Sequence, residues 1–289
     1  MKIANAPKKR KHKGLIILIL LFAAIAGIFL DSRYRIAVTE YELKYANLPQ
    51  IFEKYSIVQL SDLHLAEYGK NNSRIIALTA KQQPDIIVLT GDFINMSSTK
   101  TGGAQTEELK PFLEELVKIA PCYFISGNHE WASTEIDYLA ETLSELGIVY
   151  LSNEFVFLEK DGESIMLAGV EDPNGPADMI RPDSFAEIMR RRYGDKFKIL
   201  LAHRNDWMKK YPALPVDLII CGHAHGGVVR IPFIGGLFGT GKEFLPEYDA
   251  GVFNEGNYDM VISRGLGGNK PMPRFLNNPE IVTIILRSA

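Results

Sequence analysis

Five of the six histidines in this chain of 289 residues fall in short polar segments that each follow an apolar run. The segments are Ser61-Asp62-Leu63-His64, Gly91-Asp92, Gly127-Asn128-His129-Glu130, Ala202-His203 and Gly222-His223-Ala224-His225. The runs before them, residues 55–60, 85–90, 122–126, 198–202 and 216–221, read as buried strands, and 165–170 reads as another. Helical spacing fills 72–82, 106–119, 134–146 and 183–193, with Thr134 and Asp137 placed to cap the third helix and Gly147 to end it. Such alternation predicts an α/β fold with a largely parallel sheet, whose polar segments gather beyond the strand ends. Past Gly226 helical spacing stops, and short strands near 228–231, 258–263 and 280–287 predict a second, mixed sheet.

The N-terminus carries a different signal. A basic run, Lys8 to Lys13, precedes seventeen residues without a charge, Gly14 to Leu30, which Asp31 ends. That length is at the lower limit for crossing a hydrocarbon layer of about 30 Å. Ala24-Ile25-Ala26 offers a cleavage site of the signal-peptide kind, but the apolar stretch continues beyond it. The reading is therefore an uncleaved anchor at 14–30, a basic cytoplasmic segment at 1–13, a connector at 31–49 and a catalytic domain at 50–289. Basic residues on the N-terminal side place that end in the cytoplasm and the domain outside the cell membrane, with secretion after cleavage as the alternative. Residues 1–35 hold +7 of charge, so the remainder holds −10 of the net −3. An acidic body with no basic, aromatic-interleaved groove argues against nucleic acid as a partner. No obligate protein partner is evident.

Each polar segment alone is weak, since Gly-Asp and Gly-Asn are common turns and a single histidine is more often structural. Asp-x-His and His-x-His are stronger, because alternate residues of an extended strand project to one side and can grip one ion. The order D-x-H, G-D, G-N-H-E, H, G-H-x-H, taken whole, resembles the calcineurin-like metallophosphoesterases. Within them it is similar to the membrane-associated branch of YkuE/YaeI-like phosphodiesterases, on Gly226 to Ile234 and Ser263 to Gly267 as well. The resemblance covers roughly residues 50 to 287 and implies a four-layer α/β/β/α sandwich behind an N-terminal transmembrane helix.

The donors are too many for one tetrahedral zinc and suit two divalent ions, Mn, Fe or Zn, with no thiolate to favour copper. The resemblance implies Asp62, His64 and His225 on one ion, Asn128, His203 and His223 on the other, and Asp92 bridging. It implies His129 as proton donor to the leaving group, with Glu130 either orienting His129 or lying at the surface. The expected reaction is hydrolysis of a phosphodiester or pyrophosphate, free or lipid-linked, by a metal-activated hydroxide. Hydrolysis of extracytoplasmic nucleotides or cyclic nucleotides is the enzymatic alternative, and a non-catalytic scaffold of the same fold is the other. After Gly91-Asp92 the chain reads Phe93-Ile94-Asn95-Met96 where the related Ser/Thr protein phosphatases carry Asp-Arg-Gly, whose arginine clamps the phosphate, which argues against a protein phosphatase. Arg204 follows His203 and reads as solvated, with phosphate binding as its alternative. Residues 228–241, apolar and glycine-rich, predict a hairpin packed into the second sheet, or else a lip beside the metals. Cys122 and Cys221 stand at different distances from their motif glycines, so no disulfide is expected.

Overall fold

The computed structural model describes residues 9–96, 102–175, 180–194, 196–241, 243–254, 257–268 and 273–289. The chain begins with helix α1 (Lys9–Tyr34), followed by β1 (Ala37–Tyr45), β2 (Tyr55–Leu60), α2 (Ser73–Lys81), β3 (Ile86–Leu89) and α3 (Ala104–Leu116). Next come β4 (Cys122–Phe124), α4 (Asn128–Ala132), α5 (Ile136–Glu145), β5 (Val149–Tyr150), β6 (Glu154–Lys160) and β7 (Glu163–Gly169). Helix α6 (Pro182–Tyr193), β8 (Lys198–Leu201), α7 (Trp207–Lys210) and β9 (Leu218–Cys221) complete the alternating part. The remainder is strands: β10 (Arg230–Ile231), β11 (Gly235–Gly236), β12 (Gly251–Phe253), β13 (Asp259–Ile262) and β14 (Glu280–Ser288).

Two six-stranded sheets form, ordered β1-β14-β2-β3-β4-β5 and β12-β13-β9-β8-β7-β6. Side-chain alternation explains how they stack. Ile57, Ile86 and Val88 of the first sheet meet Ile165, Ile199 and Leu218 of the second across one core. The intervening residues Val58, Leu60, Ile87 and Leu89 face outward onto Leu109 and Phe112 of α3 and Leu139 of α5. On the far side Met166, Leu200 and Ile219 pack on Phe185 and Met189 of α6. Three apolar layers thus separate helix, sheet, sheet and helix, and central strands buried on both faces read as unbroken apolar runs. This is the four-layer sandwich expected. Strands β2, β3 and β4 run parallel to one another, as do β7, β8 and β9. The motif segments at their C-terminal ends therefore meet along one edge.

Four local expectations are corrected. The 31–49 connector contains β1, which pairs in parallel with all nine residues of β14; its half-buried Thr39 and Tyr41 alternate with exposed Val38, Glu40 and Glu42, and that charged face hid it. Strand β14 joins the first sheet, antiparallel to β2, instead of the second. Residues 230–236 form a separate two-stranded ribbon, β10 with β11, whose tip leaves Phe233 fully exposed. Helix α5 starts after Glu135, and no side chain caps it. Glu135 instead accepts the backbone N–H groups of Gly103 and Thr106, so tertiary contacts replaced the expected Thr134 cap.

The apolar N-terminal stretch is one helix that runs past Leu30 to Tyr34. Its portion Lys13–Tyr34 is long and apolar enough to cross a membrane, and none of its most apolar window is buried. The basic segment 1–13 lies largely outside the described residues. Cys122 and Cys221 are free and buried, in different sheets.

Candidate metal centre

All eight residues singled out in the sequence converge at the shared strand edge. Asp62 and His64 follow β2, Asp92 follows β3, Asn128 and His129 open α4, His203 follows β8, and His223 and His225 follow β9. Seven of them are at least nine-tenths buried, and His223 is partly open. Asp62, His64, Asp92, His223 and His225 have φ between 48° and 65°, a region that costs a side-chain-bearing residue energy and persists where surroundings enforce it.

The donors form two groups. In one, His64 Nε2 lies 3.2 Å from His225 Nε2, and His225 Nε2 lies 3.6 Å from Asp62 Oδ1. In the other, His203 Nε2 lies 3.1 Å from His223 Nδ1 and 3.2 Å from Asn128 Oδ1. Asp92 stands between them: its Oδ2 is 3.2 Å from His203 Nε2 and 3.9 Å from His64 Nε2. Its other oxygen accepts the His129 backbone N–H at 2.8 Å, which holds the carboxylate in that orientation.

Supporting contacts aim these groups. His203 Nδ1 donates to the Thr90 carbonyl at 2.8 Å, which turns Nε2 toward Asn128, His223 and Asp92. Asp62 accepts the His223 N–H with both oxygens at 3.1 Å and the Ser61 hydroxyl at 2.6 Å. The motif glycines permit the close approach. A Cβ on Gly127 would meet Asp92 Oδ1, and one on Gly222 would meet Ser61 Oγ and Asp62 Oδ2.

The charges follow from burial and proximity. Burial alone would lower His203, but the Asp92 carboxylate, its hydrogen bond and Asp62 outweigh it and raise the imidazole to about 10. Burial raises Asp62 to about 6 against the pull of His203. Asp92 is held below the usual range, since His203, His64 and His129 together outweigh its burial. His64 falls to about 4 and His223 and His225 are pushed well down, chiefly by burial. Imidazole nitrogens facing one another at 3.1 to 3.2 Å, with the Nδ1 atoms of His64 and His225 lacking any partner among the described residues, fit a pair of bound cations. Three sets of donors each lie within 4.8 Å of one another: Asp62 with His64 and His225, His64 with Asp92 and His129, and Asp92 with His203 and His223.

Glu130 takes neither role expected of it. It is fully buried, and its carboxylate accepts the N–H groups of Asp92 at 2.8 Å, Phe93 at 2.7 Å and Gly127 at 2.7 Å. Burial and the nearby Asp92 charge push it up to about 7, against the pull of those N–H groups. Arg204 is paired, not solvated: its guanidinium grips buried Asp172 at 2.6 and 3.0 Å and lies 3.4 Å from His223 Nε2. Asp172 had no signal in the sequence, because its partner lies 32 residues away. Arg190 and Arg191 pair with Glu187 on the exposed face of α6, as expected of a surface helix.

The fold, with these candidate metal donors along one sheet edge, defines a metallophosphoesterase architecture. Residues 55–227 match the calcineurin-like phosphoesterase family, and the chain belongs to it. It is therefore a metal-dependent phosphoric ester hydrolase. The chain is similar to the uncharacterized metallophosphoesterase YkuE of Bacillus subtilis, 29% identical over 258 residues that cover 88% of this chain and 87% of that one. It is 30% identical to the phosphodiesterase YaeI of Escherichia coli over 74% of this chain and 75% of that protein. A third relative, the UDP-2,3-diacylglucosamine pyrophosphatase LpxG of Chlamydia trachomatis, is 28% identical over 81% of this chain and 85% of its own.

Proposed function

We propose that this chain is a membrane-anchored phosphodiesterase or pyrophosphatase with two divalent ions held by Asp62, His64 and His225 and by Asn128, His203 and His223, Asp92 serving both. The observation that carries the reading is Asp92 Oδ2, aimed by its own hydrogen bond between the two donor groups. A carboxylate so placed balances charge for both sites, while Asn128 adds an oxygen donor without a charge that would repel phosphate. Manganese or iron suits this imidazole and oxygen set, with zinc as the other candidate.

When bound, two such ions would polarise a phosphoryl group and lower the pKa of a water. The chain's own residues supply the rest. His129 Nδ1 accepts the Met96 N–H at 3.1 Å, so its proton sits on Nε2, 3.8 Å from Asp92 Oδ2. Burial lowers this imidazole, which keeps it a neutral donor toward the oxygen that leaves phosphorus. Arg204, fixed by Asp172, adds positive charge at His223 on the partly open side of the site.

The basic residues of 8–13, ahead of the apolar stretch of α1, favour a cytoplasmic N-terminus and an extracytoplasmic domain. The names of YaeI and LpxG support a diester or pyrophosphate over a monoester, and that of LpxG supports an acylated substrate. The test is the full chain loaded with Mn, assayed on a nitrophenyl phosphodiester and the matching monoester. A diester preference of at least tenfold is expected. A monoester preference would make the protein a phosphatase and overturn the reading.

A further inference from the structure

A cavity of about 520 Å³ separates the last turns of α1 from the loop that carries His64. Its size is that of an ordinary ligand pocket, about 300–1,000 Å³. The helix contributes Phe29 and Arg33, the loop contributes Leu65, Ala66 and Tyr68, and candidate ligand His64 borders it directly. The gap is held by specific contacts. Ser32 is buried and its Oγ accepts the Leu276 N–H at 2.8 Å; Asn278 Nδ2 donates to the Asp31 carbonyl at 2.8 Å; Arg74 donates to the Tyr34 carbonyl at 2.9 Å. These bonds pin the end of the apolar helix beside the metal centre.

Arg274 makes this gap a binding site. It also lines the cavity and is more than nine-tenths buried. Its Nε donates to the Gly267 carbonyl at 2.8 Å and its Nη2 to those of Arg264 and Gly265 at 2.6 and 3.1 Å, but Nη1 has no partner among the described residues. A buried guanidinium with an unused N–H is costly; Nη1 is itself shielded, so turning the guanidinium toward the cavity would let an anionic or carbonyl oxygen satisfy it with a charge-assisted bond. Glu67 and Glu108 also border the cavity, so a singly charged head fits better than a multiply charged one.

We propose that this cavity binds the alkyl part of a singly charged, amphiphilic phosphodiester that reaches the metal centre from the membrane surface along α1. The chain lies against Phe29 and Leu65, an oxygen of the head takes the Arg274 Nη1–H, and the ester ends beside His64. The membrane helix is then a wall of the substrate site as well as an anchor. This inference rests on the phosphoesterase reading and specifies its substrate class.

Two esters with one leaving group isolate the chain: methyl and hexadecyl 4-nitrophenyl phosphate, presented to the full chain in phospholipid nanodiscs. The ratio of kcat/KM, hexadecyl over methyl, is expected to be at least tenfold and to fall at least tenfold in Gly268→Trp and in Phe29→Ala. Gly268 lines the cavity and a Cβ there meets open space, so the indole fills the gap without backbone strain. Phe29→Ala carries the test if Gly268→Trp does not fold. A ratio near one in the unaltered protein, or one that both variants leave unchanged, overturns the proposal alone. Turnover of neither ester overturns the phosphoesterase reading and the proposal with it. A second readout needs no turnover: a diazirine-tipped hexadecyl methylphosphonate is expected to label residues 29–34 or 65–68. Labelling confined to residues 15–22, on the exposed face of α1, would contradict the proposal.

Discussion

Glu130 lies fully buried behind Asp92 and accepts its backbone N–H at 2.8 Å, so one buried carboxylate fixes the loop that carries the other. The same side chain ties down Phe93 and Gly127, joining the loops after β3 and β4 into one unit. Glu130→Gln keeps the shape but turns an amide N–H₂ toward backbone donors. We expect a loss of about 3 kcal/mol in urea unfolding, since buried donors lose their acceptor. Mn affinity should fall at least tenfold in the same variant. Unchanged affinity would show that the loop holds Asp92 without Glu130.

His203 is raised to about 10 in the metal-free protein by Asp92 and Asp62, against its burial. A cation must therefore displace its proton at neutral pH. Calorimetric titration with Mn at pH 7 in buffers of different ionisation enthalpy should report net proton release, and apparent affinity should rise with pH up to about 10. The raised value also means that the His203 contribution to metal-free stability is present in full below about 6.5 and lost as pH climbs through 10. Proton uptake on loading would reverse this account.

His129 supplies a proton at Nε2 but lies outside the two proposed ligand sets. His129→Ala should leave two ions bound and lower kcat by about 10²–10⁴. The loss should be larger for a poor alkoxide leaving group than for nitrophenolate, which needs no proton. Equal losses on both, or a lost ion, would make His129 a ligand, which its place among donors near His64 and Asp92 permits.

The contact between α1 and the domain rests on few bonds. Asn278→Ala removes the donors to Asp31 and Arg35 and should cost about 1 kcal/mol. Hydrogen exchange should then quicken at Leu276, whose N–H is held by Ser32 of the helix end. Exchange unchanged there would mean that the helix docks through its apolar contacts.

The strand-end motifs were legible because β2, β3, β8 and β9 are buried on both faces, and β4 on all but half-buried Tyr123, so each apolar run stops where the backbone reaches the polar edge. Helices α2, α3, α5 and α6 carried their amphipathic spacing in plain view. What stayed hidden depends on distant partners. Strand β1 gains its place from pairing with β14, some 240 residues away, and its exposed, charged face concealed it. Glu130 and Asp172 looked like ordinary carboxylates until the loops and Arg204 met them. The 228–241 segment read as a hairpin packed into the second sheet from its apolar content, but it forms a separate ribbon, tied to Asp249 and Phe275, that sets Phe233 in the open. The Arg274 cavity lies between a helix and a loop joined only by tertiary folding, which no local pattern records.

The central claim is that one carboxylate serves two ions. The direct measurement is metal stoichiometry, by native mass spectrometry and calorimetry with Mn, on the full chain and on Asp92→Asn. The account predicts two ions per chain, with Asp92→Asn losing at least one of them and all diester turnover. Two ions retained in Asp92→Asn, or a single ion in the unaltered protein, would contradict it.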